Sequence, residues 1–212
     1  MIVVNLDQKI MEIRINLFGR SVADIYRAID GNSLMGAHIL IFCLIDYVSY
    51  IREGEQQYAY NRFVDDYLSK NQNSNYNGKE LYAIRCALVH TYGLSNAMSA
   101  ADLNGYLFGH KVPQNHLVKQ DKIIFLNLSN FLFDTVKSTW QCFEDLLRID
   151  ENDKKDVCER GQKLLKVFGP DGVSLYHKSF AETHPCLAPL DLENESKWVL
   201  LNEKTWELCA NK

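Results

Sequence analysis

Between Leu34 and Ile51 the chain reads LMGAHILIFCLIDYVSYI, a run whose only charged residue is Asp46. A helix built from it has almost no polar face, so its surroundings must enclose it on nearly every side. Two surroundings can do so. One is a bilayer, whose hydrocarbon core such a length nearly spans; the other is a layer of neighbouring helices. In a bilayer Asp46 would lie deep in hydrocarbon, and His38 adds a second polar group. The run is therefore read as the most buried helix of a bundle, without a membrane.

The flanking sequence supplies the bundle. LDQKIMEIRINLFGRSVADIYRAID sets Ile10, Ile13, Leu17, Val22, Ile25 and Ala28 along one side of a helix, with charges opposite. Gly31-Asn32 ends it, Ser33 is placed to cap the next helix, and Gly54 closes that one. YAYNRFVDDYLSK is a third, shorter helix, NQNSNYNG is a polar loop, and a fourth helix runs from about residue 79 to 92, with Gly93 as its stop. Residues 94–115 read as a long irregular connection. HLVKQDKIIFLNLS predicts a short β-hairpin turning at Lys-Gln-Asp-Lys, followed by a fifth helix in NFLFDTVKSTWQCFEDLLR. A sixth, roughly 153–168, precedes Gly169-Pro170. The reading is an all-α bundle of four to six helices over residues 1–168, with a β-hairpin insertion. Residues 169–212 form an irregular C-terminal extension of unknown role.

Composition narrows the function. At 212 residues and 47% hydrophobic content the chain can bury a sizeable core. A net charge of −4 and a pI near 5.9 give no broad basic field toward nucleic acid or anionic lipid, so any RNA is gripped locally. The six cysteines are widely spaced, with no C-x-x-C pair, and the opening MIVVNLDQKI lacks a secretory pattern. A reduced, cytoplasmic chain without disulfides is expected.

One segment carries chemistry. ELYAIRCALVHTYG, residues 80–93, places Arg85 and His90 among apolar side chains. At about 100° per residue, Leu81, Ile84, Leu88 and Tyr92 share a core face, while Tyr82, Cys86 and Val89 make a second apolar strip. Arg85 and His90 flank that strip. Such a helix suits packing against a second layer, most simply its own copy across a two-fold axis, where the polar pairs would converge.

An arginine, four residues and a histidine near the end of a fourth bundle helix resemble the signature of the HEPN superfamily. The segment MGAHILIFCLIDYVSYI is similar to the second helix of those proteins, and RCALVHTYG to their catalytic segment. The resemblance covers roughly residues 7–150 and is strongest at 33–93. It implies a metal-independent endoribonuclease acting as a homodimer, a toxin or phage-defence effector, with Arg85 and His90 as the catalytic pair. The chemistry fits these residue types. An imidazole titrates near neutrality and serves as base or acid, and a guanidinium forks onto phosphate oxygens. A 2′-hydroxyl nucleophile restricts the substrate to RNA, excluding DNA. Cys86 stands where active members often carry Asn, Asp or His. The second function implied is an inactive HEPN dimerisation or nucleotide-binding module, partnered with a small nucleotidyltransferase as the toxin reading would be with an antitoxin. A structural bundle outside the superfamily is the third.

Plainer roles stand beside these. Arg85 and His90 read also as a helix-end ion pair and cap. Asp46 needs a partner if buried: it either orients Arg85 or His90, forms a structural salt bridge, or lies at an edge exposed to solvent. Glu80 favours the helix N-terminus, and Tyr92 packs in the core. His110 and His116 lack a cysteine or carboxylate at metal-ligand spacing, and His177 and His184 lie in the unpatterned tail. No phosphate-binding glycine loop or zinc motif occurs, so neither cofactor nor metal is expected.

Overall fold

The computed structural model describes residues 5–54, 58–71, 75–91, 96–110 and 115–167. The chain is mostly helical, with one small three-stranded sheet. Helix α1 (Leu6–Ile13), a π-helical stretch (Arg14–Gly19) and α2 (Arg20–Asp30) run on without a break. Asn5 caps the start by accepting from the Gln8 N–H. Ile10, Ile13, Leu17, Val22 and Ile25 are buried, as the apolar periodicity predicts, and Ala28 is half-buried. Arg14 is buried too, stacked 4.0 Å over the Trp140 ring and bonded to Glu144 at 2.8 Å. Asn32, at φ 60°, makes the turn into α3. Ser33 precedes α3 without a side-chain cap bond, so the capping role expected of its hydroxyl is not realised.

Helix α3 (Leu34–Glu53) packs against α2, α4, α8 and α9. By length and composition it is apolar enough to cross a membrane, yet half of its most apolar window is buried inside the bundle. Phe42 packs at a tilt against Phe131 of α8, ring centroids 5.1 Å apart, and Ile41, Leu44, Ile45 and Val48 are fully buried beside it. Enclosure is incomplete, however. Cys43, Asp46, Tyr47 and Tyr50, at i, i+3, i+4 and i+7, form a stripe that is only half-buried. Gly54 ends the helix at φ 81°, a left-handed conformation that favours glycine, and donates to the Tyr50 carbonyl at 2.7 Å.

Next come α4 (Ala59–Phe63), a second π-helical stretch (Val64–Leu68) and α5 (Ser69–Asn71). Helix α6 (Gly78–Cys86) starts from Asn77, whose side chain accepts from the Glu80 N–H, and packs against α4 and α7. Gly78 sits so near Asn61 that a Cβ there would lie 2.6 Å from the Asn61 Cα and carbonyl oxygen. Only glycine lets α6 approach α4 this closely. Leu81, Ile84 and Leu88 are buried, as the helical spacing predicts. Replacing any one of them by alanine would cost about 2–5 kcal/mol.

Past α6 the structure corrects the sequence reading. Residues 94–115 are not simply an irregular connection. They contain α7 (Asn96–Ala100) and strand β1 (Gly105–Gly109), which pairs in parallel with β3 (Ile123–Asn127). The hairpin is present, with β2 (Lys119–Gln120) antiparallel to β3 and sheet order β1-β3-β2. Its register pairs Gln120 with Ile123, leaving Asp121-Lys122 as a two-residue loop with φ of 52° and 63°. Positive φ at both positions is the mirror-image turn that matches strand twist. The fifth predicted helix is α8 (Leu128–Leu146), capped by Asn127, and the sixth is α9 (Glu151–Val167). Tyr92, Gly93, Gly169-Pro170, His177, His184 and the extension 169–212 lie outside the described residues.

Candidate functional site

The half-buried stripe of α3 faces a cleft of about 460 Å³. Helix α4 packs against both α3 and α6, so its Ala59 and Tyr60 form the floor. Cys43, Asp46, Tyr47 and Tyr50 of α3 make one wall; Tyr82 and Arg85 of α6 make the other. Arg85 Nε donates to Asp46 Oδ2 at 2.6 Å, and the two side chains keep 20% and 24% of their surface in water. Asp46 and Arg85, each the sole charge in its apolar segment, thus meet across the cleft.

The electrostatics hold the guanidinium charged. Burial works against the Arg85 cation, and the adjacent Asp46 carboxylate more than offsets that, raising its pKa. Burial, reinforced by Asp46, pushes the Cys43 thiol up, which keeps it protonated and a poor nucleophile. Tyr60 is raised well above the usual phenol range by burial. Its hydroxyl is buried and has no hydrogen-bond partner among the described residues. The Tyr82 ring packs edge-on against Tyr60, centroids 5.5 Å apart, so part of the strip proposed for a partner copy is used within the chain. Cys86 is half-buried, and Val89 is among the exposed large hydrophobic residues.

After Cys86 the α-helix gives way to a third π-helical stretch, Ala87–Thr91. A π turn bonds i to i+5, so an α-helical wheel runs out of phase beyond Cys86 and misstates the angle between Arg85 and His90. The His90 backbone belongs to this stretch, and its side chain lies outside the described residues. π-helical turns occur frequently at functional sites. Glu80 lies in the first turn of α6, as expected, and also accepts from Lys119 Nζ at 2.7 Å.

A second polar cluster was not foreseen. His116 is brought against Tyr76 and Asp134, both buried. The Asn127 N–H donates to His116 Nδ1 at 3.0 Å, which fixes the neutral tautomer with the proton on Nε2. His116 Nε2 stands 2.7 Å from Tyr76 Oη, which donates to Asp134 Oδ2 at 2.8 Å. The chain of donors ends on the carboxylate. The one local signal was Asp134, an acid within the apolar pattern of α8. Among the described residues, no group of three His, Cys, Asp or Glu side chains converges to hold a metal ion. Cys43, Cys86, Cys142 and Cys158 are free thiols.

No protein-family model, no curated protein and no solved structure matches the chain.

Proposed function

We propose that this chain is a metal-independent endoribonuclease of HEPN type that acts as a homodimer. The observation that carries the reading is the Arg85–Asp46 pair at 2.6 Å, opening on a cleft one helical stretch before His90. Asp46 engages the Nε edge of Arg85 and fixes the plane of the guanidinium, so less freedom is lost when it engages phosphate. Its delocalised charge then meets the negative charge that builds on the phosphorus in the transition state. His90 removes the 2′-hydroxyl proton, and the 2′-oxygen attacks phosphorus. The bond to the 5′-oxygen breaks, and that oxygen takes a proton from His90 of the second copy. The products are a 2′,3′-cyclic phosphate and a 5′-hydroxyl.

The second reading is an inactive HEPN module. Cys86 beside Arg85 and the net charge of −4 favour it. One experiment separates the two. Purified protein is incubated with a panel of RNAs, with and without EDTA, and the termini are analysed; light scattering gives the mass. The nuclease reading expects cyclic phosphate ends, no loss of activity with EDTA, and about twice the 24.5 kDa chain mass. A protein that cuts no RNA leaves the module reading. Activity lost to EDTA and restored by a divalent ion indicates another class of enzyme.

A further inference from the structure

We propose that the cleft above Tyr60 is a nucleobase site, in which one unstacked base of the RNA lies against Tyr50, Tyr47 and Tyr82. The identity of the ligand rests on the RNA reading above; the existence of a site rests on the cleft itself. Its volume of about 460 Å³ falls within the range of small-ligand pockets and is far larger than a water needs. Its lining is unusual for the outward side of a bundle. The exposed stripe of a soluble helix normally carries Lys, Glu or Gln. Here α3 presents Tyr47 and Tyr50 one turn apart, and α6 presents Tyr82 opposite them, all three half-buried. Flat aromatic surfaces held on rigid helices are what single-stranded nucleic acid uses, because every base has a π-face to stack.

The polar groups favour a base over a bare phosphate. Asp46 lines the cleft beside Arg85, so a base edge can meet the carboxylate while its phosphate meets the guanidinium. A carboxylate offers about four acceptor positions, so an oxygen already bonded to Arg85 can still receive an N–H from a base edge. The Asp46 carboxylate favours a base that turns an N–H edge toward it. The site thereby holds the base of the nucleotide whose phosphate meets Arg85.

The test is binding, measured apart from cleavage. The full-length protein is titrated to millimolar concentration with the four nucleoside 5′-monophosphates and with ribose 5-phosphate as the control lacking a base, following chemical shifts. Tyr50→Ala and Tyr50→Phe are titrated alongside, with thermal melting to confirm the fold. The expected result is binding of the nucleotides and none of ribose 5-phosphate. Loss of one stacking ring in Tyr50→Ala should weaken binding about tenfold, and Tyr50→Phe should restore it. Equal binding of ribose 5-phosphate, no binding of any nucleotide, or an unchanged Tyr50→Ala overturns the inference. Nucleotides that bind to a protein cutting no RNA sink the nuclease reading and leave the site standing. RNA cleavage without any base-dependent binding does the reverse.

Discussion

Two polar clusters in this chain solve opposite problems. Around Tyr76 the hydrogen bonds close on themselves: Asn127 donates to His116, His116 meets Tyr76, and Tyr76 donates to Asp134. All three side chains are buried or nearly so, and the cluster joins the loop before α6, the hairpin and α8. Around Arg85 the groups border a cleft. The ion pair keeps contact with water, and three tyrosines line the cleft beside it. A hydrogen-bonded buried network rigidifies a core. The first cluster ties elements of the fold together, and the second is the one we propose for function.

The sharpest way to break that assignment is to disturb the closed cluster. Tyr76→Ala removes a buried ring packed on Phe131 and strands both His116 and Asp134. It should lower stability by about 3–5 kcal/mol in urea denaturation, the usual cost of deleting a large buried side chain. A loss below about 1 kcal/mol would show that the cluster is not structural.

A smaller effect follows from protonation. Burial holds His38 and His116 near 4, below their ordinary 6.5, and pushes Asp134 up to about 6 from 3.8. Between pH 6.5 and 4 the unfolded chain binds protons on two imidazoles that the folded chain excludes, so stability falls as the pH drops. Asp134 works the other way between 6 and 3.8, because the folded chain holds a proton that the unfolded chain releases. Two groups outweigh one, so the melting temperature should fall on acidification from neutral pH. Asp134→Asn removes the opposing contribution and should steepen the fall. A melting temperature that rises toward pH 5 would contradict these assignments.

The smallest effect on stability belongs to the open cluster. Arg85→Ala breaks a pair that is partly solvated, and Asp46 keeps its access to water. Both side chains are half-buried, so the cost should be about 1–2 kcal/mol, above that of an exposed pair and below that of a fully buried one. A loss as large as that of Tyr76→Ala would move Arg85 into the structural class and undo the contrast.

What could be read in the sequence follows the same division. Asp46 and Arg85 each stand alone among apolar residues, and an isolated charge in such a setting demands a partner, so their meeting was legible. The helices of the bundle were legible because their apolar spacing is strong. The cleft was not, because Tyr47 and Tyr50 count as apolar in a pattern, and nothing local shows which side of α3 is left uncovered. Strand β1 was missed for a physical reason as well. GYLFG is short, does not alternate, and becomes a strand only by pairing with β3 beyond the hairpin. The switch from α to π geometry after Cys86 left no mark in the residues. His116 and Asp134 come together only through tertiary packing.

The most direct test of the account is His90→Ala, assayed for RNA cleavage and thermal melting on the same preparation. The account predicts cleavage lower by about 10²–10⁴-fold, the range that general acid–base help supplies, with a melting temperature equal to that of wild type. A His90→Ala protein that melts like wild type and still cuts RNA at the wild-type rate would contradict it.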